Sequence, residues 1–278
     1  MKNLKLAAVC LSCLTMTGCS ALNFSVEGLI NAPKLTSEQS EIHQALIESV
    51  GSNITLKYPK NGEYRSAYVI ANIDDEPTDE AMVFYEYTSN GSEEDGLRVN
   101  ILDKDEKGKW YSVKELAGAG TDIDQVIISP MGSNNQTDVF VGYQNLTNDE
   151  KTMEIYSYTD GDFKRVALDT YSVLEPLDIN NDGYIELITI QRSTNNDTGA
   201  VTAKASMLNM KNNEITRGEN VDMCDNVTSY VSSKTGMLDS GRRAIFIDGL
   251  TADGKLQTEI IYYRYSGLQN PMQLRSEK

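Results

Sequence analysis

Leu177 to Leu187 reads LDINNDGYIEL, and Ala71 to Ala81, ANIDDEPTDEA, matches it position for position without a gap. Ser129 to Val139 (SPMGSNNQTDV) fits the same frame with a degenerate loop, and Ile247 to Ile260 (IDGLTADGKLQTEI) fits it with three extra residues. Each stretch is an acidic or amide-rich loop with an apolar run before and after it, so four repeat units are expected, each folding one loop between two strands. Their shared acidic residue falls at Glu80, Asp138, Glu186 and Glu259, at spacings of 58, 48 and 73. The shortest of those distances falls within the roughly 40 to 50 residues of a four-stranded propeller blade and the other two exceed it, with an insertion in the third unit.

The runs after each acidic residue, such as Met82 to Tyr85 and Leu187 to Ile190, are continuously apolar instead of alternating. Continuous runs belong to strands buried on both faces, as when one sheet is sandwiched between two others. Turns at Asp105 to Gly108, Thr159 to Asp162 and Lys211 to Asn213 read as the outer hairpins. The fold expected is all β: a propeller-like array of about four four-stranded blades over residues 55–278. The fourth reads as little more than half a blade, with strands at Arg243 to Asp248, Thr258 to Tyr265 and Met272 to Leu274. An early strand, Ile54 to Tyr58, is available to complete it; otherwise the chain reads as part of a larger ring.

Upstream, residues 35–54 hold one amphipathic helix. Thr36 is placed to cap it, Gln39 follows three residues later, Ile42, Ala45, Leu46 and Val50 form its apolar stripe, and Gly51 stops it. His43, the only histidine, lies off that stripe and reads as a surface residue, which removes histidine triads and multi-histidine metal sites from consideration. Residues 19–34 read as a tether. In residues 1–18, Lys2 and Lys5 precede an apolar run from Leu6 to Met16, about half the ~20 residues needed to span a membrane, as in a signal peptide.

That run ends in Met16, Thr17, Gly18 and Cys19, which resembles the lipobox of bacterial lipoproteins, with Met where the family usually has Leu. The resemblance implies cleavage before Cys19, lipidation of its sulfur, and attachment to the outer face of the cell membrane. Export would take the formal charge from −16 to −18, and so acidic a chain repels phosphate backbones, excluding nucleic acid as a partner. With Cys19 lipidated, Cys224 is left without a disulfide partner and reads as a buried small apolar residue.

Asp178, Asn180, Asp182, Gly183 and Glu186 further resemble the loop of the FG-GAP or VCBS repeat, D-x-D/N-x-D-G-x-x-D/E, found in bacterial surface proteins and integrin-like propellers. Oxygen donors on Asp178, Asn180 and Asp182, the Tyr184 carbonyl and Glu186 suit a calcium ion, while Gly183 permits the sharp turn. The same side chains also suit a turn closed by hydrogen bonds to the backbone. In the first unit, Asn72, Asp74, Glu76 and Glu80 occupy the matching positions, but Pro77 replaces the glycine. In the second, Pro130, Gly132 and Asn134 offer no chelating set.

Two function classes remain. One is a membrane-tethered, non-enzymatic propeller binding an extracellular ligand or protein. The other is a carbohydrate-active hydrolase or lyase using acidic residues and tyrosines at the propeller mouth, with Asp122 and Asp124 or Asp74 and Asp75 as paired carboxylates. An enzyme gathers perturbed titratable groups in one cleft, and a binding module offers a shallower face.

Overall fold

The computed structural model describes residues 35–88, 96–131, 136–145, 150–195, 197–211, 214–218, 220–225 and 227–271. Residues 1–34, with the expected signal peptide, Cys19 and the expected tether, lie outside the described residues, together with Gly132, Asn134 and the strand expected at Met272 to Leu274, as do two of the three residues of the Lys211 to Asn213 turn. The described chain is one helix followed by β-strands in four antiparallel sheets.

Helix α1 (Ser37–Val50) has the bounds its apolar stripe predicts, with Ile42, Ala45 and Leu46 buried. The first sheet contains β1 (Ile54–Leu56), β2 (Tyr68–Ala71), β3 (Glu80–Tyr87), β4 (Leu97–Lys104) and β5 (Trp110–Ala117), both β1 and β2 pairing with β3. The second runs in order through β6 (Asp122–Pro130), β7 (Thr137–Gln144), β8 (Lys151–Thr159) and β9 (Asp162–Tyr171). The third contains β10 (Val173–Leu177), β11 (Glu186–Thr194), β12 (Val201–Lys211), β13 (Glu214–Arg217) and β14 (Val221–Asp222), the last two both on β12. The fourth contains β15 (Val227–Met237), β16 (Arg243–Thr251), β17 (Leu256–Arg264) and β18 (Gly267–Gln269).

The sheets bury their faces against one another in chain order. Phe84, Val99 and Ile101 of the first meet Val139, Val141 and Tyr143 of the second. On the opposite face of β7, Phe140 joins Ile155 and Tyr171 against Leu174, Leu187 and Leu208 of the third. Ile188, Ile190 and Ala205 of the third meet Ile245, Ile247 and Ile261 of the fourth. The outer face of the first sheet, with Val83, Tyr85 and Leu102, is closed by α1. This order accounts for the apolar runs: Glu80 to Tyr85, Asp138 to Tyr143 and Glu186 to Ile190 are buried throughout.

Three expectations are corrected. The fourth unit is a full sheet of four strands, β15 to β18, and not little more than half a blade. Ile54 lies opposite Tyr87 of its own sheet, so β1 extends the first sheet and does not complete the fourth. In the fourth unit, Ile247 and Ile260 lie on β16 and β17, the second and third strands of their sheet, so the Thr251 to Lys255 turn is one strand out of frame. The loop equivalent to the other three is Leu238 to Arg242, and the inserted residues of the aligned stretch signal that shift. Among the described residues, no core cluster joins the fourth sheet to the first.

Gly142 shows how closely the stack is fitted. Tyr171 lays its phenol across β7 where a Cβ on Gly142 would stand, and donates to Asp124 Oδ2 at 2.6 Å. Gly142→Ala is expected to cost about 2–3 kcal/mol by forcing Tyr171 off this path, read as a lowered denaturation midpoint. An unchanged midpoint would show that Tyr171 is not held this tightly against β7.

Candidate functional site

The acidic register is a structural device with a fixed geometry. Glu80 Oε2 accepts the Ile73 N–H at 2.8 Å, Asp138 Oδ2 accepts the Met131 N–H at 3.3 Å, and Glu186 Oε2 accepts the Ile179 N–H at 3.0 Å. In every case the donor stands seven residues earlier, and the carboxyl is buried. Burial raises all three pKa values, Glu80 and Glu186 to about 7. Their second oxygens differ. That of Asp138 accepts the Ser157 hydroxyl, that of Glu186 accepts Asn180 Nδ2 at 2.8 Å, and Glu80 Oε1 is buried without a partner. Glu259 also caps an N–H, that of Cys224 at 2.9 Å, but from the third strand of its sheet.

The loop leading to Glu186 gathers Asp178, Asp182 and Glu186, whose oxygens lie within 4.8 Å of one another. Asn180 Oδ1 accepts the Asp182 N–H at 2.8 Å while its Nδ2 points to Asp182 and Glu186, and the Tyr184 N–H donates to Asp182 Oδ1 at 3.0 Å. Arg243, which opens β16, pairs with Asp178 Oδ2 at 3.1 Å and donates to the Asp178 carbonyl at 2.8 Å. The donor set is all oxygen and carries three carboxyls, which suits a hard cation. A cation at its centre requires the Asn180 amide to turn its oxygen inward and Asp178 to loosen its hold on Arg243. The first loop is closed differently: Asn72 Nδ2 donates to the Glu76 and Thr78 carbonyls, and the Glu76 N–H to Asp74 Oδ1.

A second site lies where the first strands of the later sheets converge. Residues of β6, β10 and β15, with the Asn61–Gly62 loop, line a cleft of about 490 Å³. Backbone bonds from Lys60 N to Ile123 O and from Asn61 N to Asp124 O tie that loop to β6. Asp124 is the bulged residue between Ile123 and Gln125, and the bulge turns its side chain into the protein. There it is 1% exposed and accepts from Asn61 at 2.8 Å, Lys151 at 2.8 Å, Tyr171 at 2.6 Å and, at 3.4 Å, Gln144. Across the cleft, Glu175 accepts the Ser233 hydroxyl and is raised by burial. Gln125, Ser172 and Ser232 supply further polar lining.

Asp122 does not join Asp124 as a carboxylate pair. It faces Lys57 and Lys60, at 3.6 and 2.8 Å. Asp74 lines a separate cleft with Asp75 and Tyr158. His43 is half-buried, not a solvated surface residue: its Nδ1 is 2.8 Å from the Tyr68 hydroxyl. Cys224 is half-buried, and burial with the nearby Glu259 pushes its thiol up to about 12, which suppresses the thiolate. This cleft was not legible from sequence, because its residues come from three sheets and a loop. The signal for Asp124 would have been a bulge, which leaves no mark on the apolar pattern.

No protein-family model matches the chain, and no curated protein matches it. Among solved structures it is similar to a protein carrying the name exo-β-1,3-galactanase from Bifidobacterium bifidum s17, with 12% identity and a TM-score of 0.28 over 75% of this chain and 71% of that one. A superposition of that quality bears on neither fold nor chemistry.

The buried Glu80 predicts a pH dependence. Its folded value of about 7 lies above the ordinary 4.5, so between those values the folded state holds a proton that the unfolded state has released. The stability it contributes is full below about pH 4.5, declines as pH rises, and is lost above about pH 7. Glu80→Gln is expected to flatten the fall in melting temperature between about pH 5 and about pH 7.5. Parallel melting curves for the two proteins would remove this reading.

Proposed function

We propose that the chain is a propeller-like, non-enzymatic binding or scaffold module, lipidated on Cys19 and held on the extracytoplasmic face of the cell membrane, with an extracellular ligand or protein as its partner. The observation that carries the binding assignment is the state of Asp124. Buried, with Asn61, Lys151 and Gln144 on Oδ1 and the Tyr171 hydroxyl on Oδ2, it is held by the protein's own side chains and organises the cleft. What the cleft offers a ligand is hydrogen-bonding surface from Gln125, Ser172 and Ser232, flanked by Lys151 and Glu175. In this reading the four sheets are blades of one array, and their loops are the surface on which a partner docks.

One observation favours the carbohydrate-active alternative. Glu175 is a carboxyl raised by burial in the same cleft as Asp124, and such a group can serve as a general acid. Glycans and cell-wall fragments incubated with residues 20–278 separate the two. A binding module retains a fragment intact and loses it in Ser172→Trp, which narrows the cleft. Release of new reducing ends or unsaturated products, abolished in Glu175→Gln, would establish the enzyme instead.

The membrane and calcium assignments have their own tests. Lipidation predicts that the expressed protein partitions with detergent and carries a lipid mass on Cys19, and that Cys19→Ala moves it to the aqueous phase; aqueous partitioning of the parent chain would refute the anchor. We assign Asp178, Asn180, Asp182, the Tyr184 carbonyl and Glu186 as ligands of a structural calcium ion. Millimolar calcium should then raise the melting temperature by roughly 2–5 °C. Asp182→Ala should abolish that rise, whereas no rise in the parent chain would exclude the ion.

A further inference from the structure

Among the described residues, each fully buried carboxyl has an evident duty. Glu80, Asp138 and Glu186 accept a backbone N–H from seven residues upstream, and Glu259 accepts that of Cys224. Asp124 and Glu154 each hold a cation, Lys151 at 2.8 Å and Arg165 at 2.6 Å. The half-buried Glu175 does neither. Its one partner among the described residues is the Ser233 hydroxyl.

Glu175 lies midway along β10, between Val173 and Leu177, which pack into the core shared by the third and fourth sheets. Strand alternation puts Glu175 on that same side, where it reaches across to Ser233 of β15. It lines the cleft of about 490 Å³ organised by Asp124. Withdrawal from water raises its pKa, and the Ser233 hydroxyl opposes the rise. One hydroxyl does not replace the hydration that a carboxylate loses. Bridging β10 to β15 requires an acceptor here but no charge, and glutamine would supply it.

What Glu175 lacks is a cation, and the cleft narrows which kind. Its own ammonium, Lys151, is engaged by Asp124, so of the two carboxyls lining the cleft only Glu175 has a charge to offer. A calcium-like ion takes six to eight oxygens and more than one carboxylate. A quaternary ammonium requires several aromatic faces around it, and among the described residues Tyr230 is the sole aromatic in the lining. A primary ammonium suits: it is compact and carries three N–H donors, for which a carboxylate is the strong acceptor and the Ser172 and Gln125 oxygens of the same lining are weaker ones. The cleft is far larger than one ammonium ion, and Val173, Leu174, Pro176 and Val231 contribute to its wall. The nitrogen therefore belongs to an organic molecule whose carbon frame fills the remaining space.

We infer that the cleft between β6, β10 and β15 takes a ligand bearing a primary ammonium group, with the Glu175 carboxylate as its anchor. This rests on the reading of the cleft as a binding site and names the chemistry it selects. Amino sugars and peptide amino termini both present that group, and the test separates them.

The exported chain carrying Cys19→Ala is titrated by calorimetry, at physiological salt, with two matched pairs: a glucosamine tetramer against its N-acetylated form, and tetra-alanine against N-acetyl-tetra-alanine. At least one amine is expected to bind saturably, and its acetylated partner at least about tenfold more weakly. Glu175→Gln should lower the amine's affinity at least about tenfold while the protein stays folded, since Ser233 keeps an acceptor. Asp239→Asn removes the same charge from an exposed position and should leave the affinity unchanged. An equal loss in Asp239→Asn would reduce the effect to attraction by an acidic surface and overturn the inference. So would an absence of saturable binding by either amine. Binding of an acetylated form that is kept in Glu175→Gln but lost in Ser172→Trp would overturn the ammonium and leave the cleft a binding site. If no fragment of any kind bound in a way that Ser172→Trp abolished, both readings would fall.

Discussion

A carboxyl shut away from water, accepting the backbone N–H of the residue seven positions before it, recurs at Glu80, Asp138 and Glu186. Desolvating a carboxylate is costly, and one backbone hydrogen bond offsets only part of that cost. The arrangement persists because the loop leading into each such strand would otherwise lose this acceptor for the N–H of Ile73 or Met131, while that of Ile179 is shared with the Leu177 carbonyl at 2.8 Å. Each acid therefore fixes where its second strand begins. The second strand, buried on both faces, fixes the sheet, and the sheet presents one apolar face to each neighbour. The order of the stack, from α1 through the four sheets, follows from repeating that unit.

The fourth sheet departs from the rule in an informative way. Its corresponding second strand opens with Arg243, and the guanidinium reaches back to Asp178 at the head of the third loop. An acid capping its own loop is thus exchanged for a base capping a neighbour's, which ties the third and fourth sheets together at the point where the third loop carries most charge. The same contact makes that loop's response to a cation a property of two sheets.

Much of this architecture was legible in the residues. The bounds of α1 followed from Ile42, Ala45, Leu46 and Gly51, and the all-β class from runs such as Met82 to Tyr85, because helical and strand periods are local properties. The gapless match of Ala71–Ala81 with Leu177–Leu187 located two of the three buried acids by register alone. The frame failed at Glu259, since three extra residues there belong to a different turn and a loop motif does not record which strands it joins. The cleft at Asp124 was illegible for a related reason: Asp124 is turned inward by a bulge, and its partners Asn61, Lys151 and Tyr171 are far away in the chain. His43 and Trp110 likewise gained their meaning from the face that α1 presents to the first sheet.

The claim that buried carboxyls lock each loop to its second strand is tested most directly by amide hydrogen exchange at Ile73, Met131 and Ile179. None of the three lies in a strand, and an unheld loop amide exchanges within seconds to minutes. The account predicts protection approaching that of the neighbouring strand amides at Val83, Phe140 and Ile188. Exchange of all three at the rate of exposed loops would contradict it.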